Sequence, residues 1–142
     1  MKKIRPDLIF NFASNPDVRL SFDFPREFIN NNFNSSLNLF ESVRTLNFKP
    51  LIIHCSTSEV YGSVSKKDVP IKENLKMCPV SPYALSKAYQ DMAAQMYNNI
   101  YGLKIIITRM FTYINPRRNN LFQSAFAKQI LEIKENKKKI LN

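Results

Sequence analysis

Three short runs rich in isoleucine and leucine, set far apart with helix-like stretches between them, constrain the fold of this 142-residue chain more than any other feature. They are Leu8-Ile9-Phe10-Asn11-Phe12-Ala13, Leu51-Ile52-Ile53-His54-Cys55 and Leu103-Lys104-Ile105-Ile106-Ile107-Thr108. Runs of this length, bounded by polar residues, read as buried strands. After the first run, Ser14-Asn15-Pro16-Asp17 reads as a loop and Pro25 opens a helix. Phe28, Phe33, Leu37, Phe40 and Val43 recur there at helical spacing to about Thr45, and Asn47 and Pro50 close it. Between the second and third runs, Ser81 suits an N-cap and Pro82 a first helical position. Ala84, Leu85, Ala88, Met92, Met96 and Ile100 give this helix an apolar stripe, and Gly102 ends it. A last helix is expected from Phe122 to about Lys137. The alternation predicts an α/β fold: a parallel sheet of doubly wound type, with strands near 8–13, 51–56 and 103–109.

Much chemistry is excluded by scarcity. The two glycines, Gly62 and Gly102, lie 40 positions apart. Neither a G-x-G-x-x-G dinucleotide turn nor a P-loop can be built from them, because both need clustered glycines for close approach to phosphate. His54 is the single histidine, which excludes H-E-x-x-H and histidine metal clusters; it reads as a satisfied strand residue, and no metal is expected. Cys55 and Cys78 form neither a C-x-x-C pair nor a disulfide framework and read as reduced thiols. A balance of 21 basic and 11 acidic residues gives a net charge of +10, which suits an anionic partner. The basic residues are not one patch. The only triple run, Lys137-Lys138-Lys139, is explained by a solvated helix end, so nucleic acid is not expected as a partner. No apolar stretch approaches the roughly twenty residues of a membrane span. Asp7 and Asn11 interrupt what would be a signal peptide after Met1-Lys2-Lys3, so a cytoplasmic location is expected.

In parallel sheets ligands bind beyond the carboxyl ends of the strands. Ser14-Asn15, Ser56-Thr57-Ser58-Glu59 and Thr112 all fall there. Tyr83 and Lys87 are four apart on one helix and so share a face about one turn apart. An ammonium beside a phenol stabilises phenolate and lowers its pKa from about 10, which prepares a tyrosine for general acid–base work near neutral pH. Thr57 is placed to hydrogen-bond the same substrate oxygen, and Glu59 adds a second proton-transfer group.

Ser56-Thr57-Ser58-Glu59-Val60-Tyr61-Gly62 followed by Pro79-Val80-Ser81-Pro82-Tyr83-Ala84-Leu85-Ser86-Lys87 resembles the extended short-chain dehydrogenase/reductases that modify nucleotide sugars. Arg109-Met110-Phe111 with Pro116-Arg117-Arg118 is similar to the subgroup of GDP-mannose 4,6-dehydratase and GDP-6-deoxy-mannose reductase, as are Pro6-Asp7 through Ala13-Ser14, Asn32 and Asn38-Leu39-Phe40-Glu41. The resemblance implies that residues 1–142 form a single, partial NAD(P)-binding Rossmann-like domain, the second half of such a sheet. It implies NADP or NAD as cofactor, contacted by Ala13, Ser14, Tyr83, Lys87 and Arg118, and a nucleotide-sugar substrate, most simply a GDP-sugar, met by Thr57, Ser58 and Thr112. The implied catalytic set is Thr57, Glu59, Tyr83 and Lys87, acting as a 4,6-dehydratase or, alternatively, as a reductase or epimerase. Asn32 reads equally as helix polar face or as a brace to a strand. Thr112 and Tyr113 stand where the subgroup has asparagine and, in dehydratases, often histidine. The family's glycine-bearing first half and its C-terminal substrate domain have no counterpart in the sequence. The chain therefore reads as the middle of a longer enzyme, a split subunit or a non-catalytic remnant. Its first strand is then an open edge, and it is expected to form a homo-oligomer or to pair with a complementing N-terminal chain.

Overall fold

The computed structural model describes residues 3–112 and 122–135. The chain divides into two compact units, Met1–Phe111 and Thr112–Asn142. The first unit carries β1 (Leu8–Asn11), α1 (Leu20–Asp23), α2 (Pro25–Thr45), β2 (Leu51–Cys55), α3 (Pro82–Tyr101) and β3 (Lys104–Thr108), with two 3₁₀ turns at Ser58–Tyr61 and Lys66–Asp68. The second unit contains α4 (Phe122–Lys134). The predicted continuation of that helix to Lys137 falls outside the described residues.

The strands form one parallel sheet in the order β1-β2-β3, with β2 central. The Rossmann-like α/β expectation holds. In register, Leu8 lies beside Leu51 and Leu51 beside Lys104. Side chains alternate along a strand, so Ile9, Ile52 and Ile105 line one face together, followed by Asn11, His54 and Ile107. Helices α2 and α3 cover this face. Phe40 and Val43 of α2 meet Ala94 and Tyr97 of α3 over the fully buried Ile52. The opposite face carries Leu8, Phe10, Ile53 and Ile106, and it is open: Phe10 is 58% and Ile106 50% exposed. β1 is an edge strand, as expected for this chain.

The regular strands stop short of their predicted ends for a visible reason. After β1 the Asn11 side chain turns inward, and its Oδ1 accepts the Ala13 N–H at 3.3 Å, which bends the chain out of extended form. Beyond β2 and β3 the pairing runs on irregularly, with Ser56 N donating to Thr108 O at 2.8 Å and Ser58 N to Met110 O at 3.0 Å.

Both long helices begin with proline in the first turn. In α3 the Ser81 hydroxyl accepts the Ala84 N–H at 3.0 Å, and Gly102 closes the helix in the left-handed region at φ 66°. The buried stripe of α2 is Phe28, Asn32, Ser36, Phe40 and Val43; Phe33 and Leu37 pack at its margin. The predicted stripe of α3 is corrected more strongly. Ala84 and Ala88 are buried, but Met92, Met96 and Ile100 are exposed, Ile100 to 70%. The buried face instead carries Ser86, Lys87, Gln90, Asp91, Ala93, Ala94 and Tyr97. Small and hydrogen-bonding side chains occupy it because they face an equally polar stretch of α2.

That seam is a continuous hydrogen-bond network. Asn32 Nδ2 donates to Ser86 Oγ at 2.9 Å and to Asn15 O at 3.1 Å, while its Oδ1 accepts the Asn15 N–H at 2.6 Å. Gln90 Nε2 donates to Asn32 O and to Ser36 Oγ, and Asn11 Nδ2 donates to the same Ser36 oxygen at 3.0 Å. Asn32 is thus a brace between α3 and the loop after β1. Among the described residues no helix is long and apolar enough to cross a membrane.

The Asn32→Leu variant fills the same space but leaves the Asn15 peptide groups and the Ser86 hydroxyl without their partner. It is expected to lower stability by about 2–3 kcal/mol. Urea unfolding is the measurement, and the midpoint should fall with an unchanged slope.

Candidate active site at the carboxyl ends of the strands

The end of the central strand sets the site. After Cys55 the chain leaves the sheet through Ser56 and enters a 3₁₀ turn capped by Thr57, whose Oγ1 accepts the Glu59 N–H at 3.4 Å. The turn buries Val60 and Tyr61, and its outer side shows Glu59 to solvent. Gly62 ends it at φ 65°, and a Cβ there would stand 1.9 Å from the Cys78 carbonyl oxygen. Only glycine fits so close to the returning backbone, where Cys78 N donates to Val60 O at 2.9 Å. Partial burial pushes the Glu59 carboxyl above the ordinary glutamate range.

Helix α3 brings the other half. The Tyr83 N–H donates to Ser21 Oγ of α1 at 3.2 Å, which ties the start of α3 to the segment after β1. The short helix α1, absent from the sequence expectation, is closed at its start by Asp17, whose Oδ1 accepts the Leu20 N–H at 2.9 Å. One turn after Tyr83, the Lys87 side chain runs inward along the sheet end. It is 4% exposed, and its ammonium donates to the Cys55 carbonyl oxygen at 2.5 Å. Burial lowers its pKa to about 8, against the opposing pull of Cys55 and Asp91.

Tyr83, Lys87, Thr57, Ser58 and Glu59 therefore gather at the carboxyl end of β2. Ala13 and Ser14 sit on the loop beyond β1, with the Ala13 carbonyl accepting from Ser35 Oγ at 3.0 Å. That loop joins the same end of the sheet through the Asn15–Asn32–Ser86 bonds. Thr112 begins the second unit, and Arg118, with Tyr113 and Asn115, lies outside the described residues.

One buried group, Asp91, escaped the sequence reading, and another, His54, is on its strand as expected but only half satisfied. His54 faces α2 and is fully buried, with Nδ1 3.0 Å from Asn11 Nδ2. The amide can only donate there, so Nδ1 accepts and the proton of the neutral ring sits on Nε2, which has no partner among the described residues. Burial, with the Lys87 charge adding to it, brings the ring pKa down to about 4. Asp91, one turn beyond Lys87, is also fully buried and forms a forked ion pair with Arg109, at 2.8 Å from Nε to Oδ2 and 3.0 Å from Nη2 to Oδ1. The spacing Lys87, Asp91, Gln95 along one helix face was the available sequence signal; an apolar-stripe template passes over it.

A family model described as GDP-mannose 4,6 dehydratase matches residues 1–142. A GDP-mannose 4,6-dehydratase of Yersinia enterocolitica is 33% identical over 124 residues, which are 86% of this chain and 33% of that protein. A UDP-glucuronate 4-epimerase of Thermodesulfobacterium geofontis is 33% identical over 128 residues, 89% of this chain and 38% of that one. The structure of RMD from Pseudomonas aeruginosa complexed with NADPH superposes with a TM-score of 0.89 at 26% identity, covering 96% of this chain and 47% of the other. The chain thus spans between about a third and a half of the length of the relatives it matches.

His54 generates a pH test. Its folded pKa, about 4, lies below the ordinary 6.5, so between these values the unfolded chain binds more protons. The stability it permits is full above pH 6.5 and is lost as pH falls toward 4, at up to about 1.4 kcal/mol per pH unit. In His54→Asn the Oδ1 still accepts from Asn11. That variant is expected to lose this part of the acid slope in urea unfolding series, and an unchanged slope would assign it to other groups.

Proposed function

The chain belongs to the GDP-mannose 4,6-dehydratase family, and we propose that it carries the acid–base centre of a nucleotide-sugar 4,6-dehydratase working with NADP or NAD. Residues 1–142 are read as one partial Rossmann-like domain of that enzyme. The buried Lys87 ammonium carries this reading. It is held at the carboxyl end of the central strand, one turn from Tyr83, and bonded to the carbonyl of Cys55, two positions before Thr57 in the chain. A buried cation at a ligand-binding strand end is costly unless it has work to do there.

The donor set fits the nicotinamide-ribose end of the cofactor: an ammonium, a phenol and strand-end hydroxyls, with Ala13 and Ser14 on the adjacent loop. Bound there, the nicotinamide would accept a hydride from the sugar C4 and return one at C6. Lys87 stabilises the phenolate form of Tyr83, and that phenolate takes the proton of the sugar 4-hydroxyl. Thr57 hydrogen-bonds the 4-oxygen, and Ser58 holds the sugar. Glu59 as carboxylate takes the C5 proton and passes it to the C6 hydroxyl, which leaves as water. As hydride returns to C6, C5 takes up the proton held by Tyr83, which restores the phenolate. The burial that raises the Glu59 pKa makes its carboxylate a stronger base. A GDP-sugar is the substrate that the family description favours. A reductase or 4-epimerase using the same Tyr83/Lys87 pair is the second reading, favoured by the match to a UDP-glucuronate 4-epimerase. Neither of these needs Glu59 to remove a C5 proton.

Neither glycine lies in the connection between β1 and α2, and the two are not clustered, so these residues offer no glycine-rich turn for the cofactor pyrophosphate. The open face of Phe10 and Ile106 and the edge of β1 fit a second copy or a complementing chain that supplies such a turn. The location consistent with this reading is the cytoplasm. The purified chain alone is expected to bind NADPH more weakly than about 100 µM by titration calorimetry and to scatter light as more than a monomer. Mixed with a separately expressed glycine-bearing strand–turn–helix segment, it should convert GDP-mannose to a product lighter by one water, read by mass spectrometry. Tyr83→Phe should then slow turnover by about 10²–10⁴-fold. A C4 epimer with no loss of water would support the second reading. Micromolar NADPH binding by a monomer would overturn the need for a partner.

A further inference from the structure

Lys87 has a charged environment that the proposed chemistry does not use. Facing its ammonium are His54 and Cys55 on β2, Tyr83 one turn before it on α3, and Asp91 one turn after it. His54 is neutral near pH 7. Cys55, whose thiol donates to Ser56 O at 3.7 Å, and Asp91 both pull the Lys87 pKa up, and Asp91 is the carboxylate of the set. The Asp91 carboxylate is fully buried, and burial pushes its pKa up, but hydrogen bonds from Arg109 and Gln95 outweigh burial and hold it below the ordinary aspartate value.

Arg109 fixes that carboxylate from the far side. It arrives from the segment after β3, forks onto both Asp91 oxygens, and donates through Nη1 to Tyr61 OH at 2.8 Å and to Glu73 O at 2.6 Å. Its guanidinium also stands 5.2 Å from the centre of the Tyr61 ring. Gln95 Nε2 completes the set with a 2.7 Å bond to Asp91 Oδ1. The carboxylate is therefore fixed in place. Asp91 and Lys87 are both buried and stand four apart on one face of α3, with Arg109 paired to the carboxylate.

We propose that Asp91, anchored by Arg109, is a positioning residue for Lys87: its fixed negative charge keeps the Lys87 side chain an ammonium at the pH where Tyr83 must ionise. Without that charge, Lys87 would sit buried with Arg109 as its unneutralised neighbour. Both effects drive an amine to its neutral form, and a neutral amine cannot stabilise a tyrosinate. The proposal rests on the Tyr83/Lys87 reading given above, but it can be tested without any turnover.

The test follows the Lys87 ε-methylene carbon by NMR across pH in 13C-lysine-labelled protein, with Lys87→Met to assign the signal. In Asp91→Asn, Lys87 is expected to titrate about one unit below the parent, a tenfold smaller ammonium-to-amine ratio at a given pH. Because Asp91→Asn leaves Arg109 unpaired, the double variant Asp91→Asn/Arg109→Met removes both charges together, and the same downward direction is expected there. Mere loosening would move Lys87 upward, toward the value of an exposed lysine. A folded variant in which Lys87 titrates at or above the parent value overturns the proposal. Loss of cooperative unfolding in both variants also overturns it, since Asp91 would then serve folding alone. If the shift appears while the parent mixed with the complementing segment lacks dehydratase activity, the proposed function fails and the role of Asp91 stands.

Discussion

The hydrogen-bonded seam between α2 and α3 is the constraint on which the rest of the structure depends. Asn32, Ser36, Ser86 and Gln90 are all fully buried, and each polar side chain taken from water must find a partner or cost about 1–3 kcal/mol. An apolar seam would let the helices slide or rotate with modest penalties. A polar one permits a single rotation, because Asn32 reaches Ser86 and the Asn15 peptide only in one register. That rotation points Lys87 along the sheet end and leaves Met92, Met96 and Ile100 outward. The position of the candidate site is thus set at the seam, by residues outside the site itself.

The seam continues into the sheet. Asn11 and His54 are register partners on β1 and β2, and their side chains bond to each other and to Ser36. The loops that leave the two strands are therefore aligned by the same network that aligns the helices. Ser21 adds a tie from α1 to the first turn of α3. Loop residues 13–15, the Thr57 turn and the start of α3 then form one rigid surface, which is what proton transfer between fixed groups requires.

Electrostatics divides the unit into two halves. Around His54 the network is neutral and burial holds the ring uncharged. Around Lys87 burial is opposed by Cys55 and Asp91, and the cation persists to about pH 8. The Asp91–Arg109 fork also joins α3 to the segment after β3, to Tyr61 and to the Glu73 carbonyl. One ion pair thus links the conformation of the long polar loop to the charge beside Tyr83. The open face of the sheet is a separate matter. Phe10, Ile53 and Ile106 follow the pattern of a strand buried on both sides, while the described helices of this unit cover only one.

The sequence by itself determined the strands, their parallel pairing and the two long helices, because these follow from local periods: continuous apolar runs, proline and serine at a helix start, glycine at a helix end. It also determined which residues stand at the carboxyl ends of the strands, since chain order fixes that once the sheet is parallel. The pairing of Tyr83 with Lys87 was legible for the same reason, as a spacing of four on one helix. Tertiary structure decided which face of each helix is buried. The apolar stripe of Met92, Met96 and Ile100 had the correct period but the wrong face, because the face toward α2 carries the polar side chains that hydrogen-bond across the seam. The roles of Asn32, His54, Asp91 and Arg109 were decided there too. Each depends on a partner at least 18 positions away, and no local period records a hydrogen bond across such a distance.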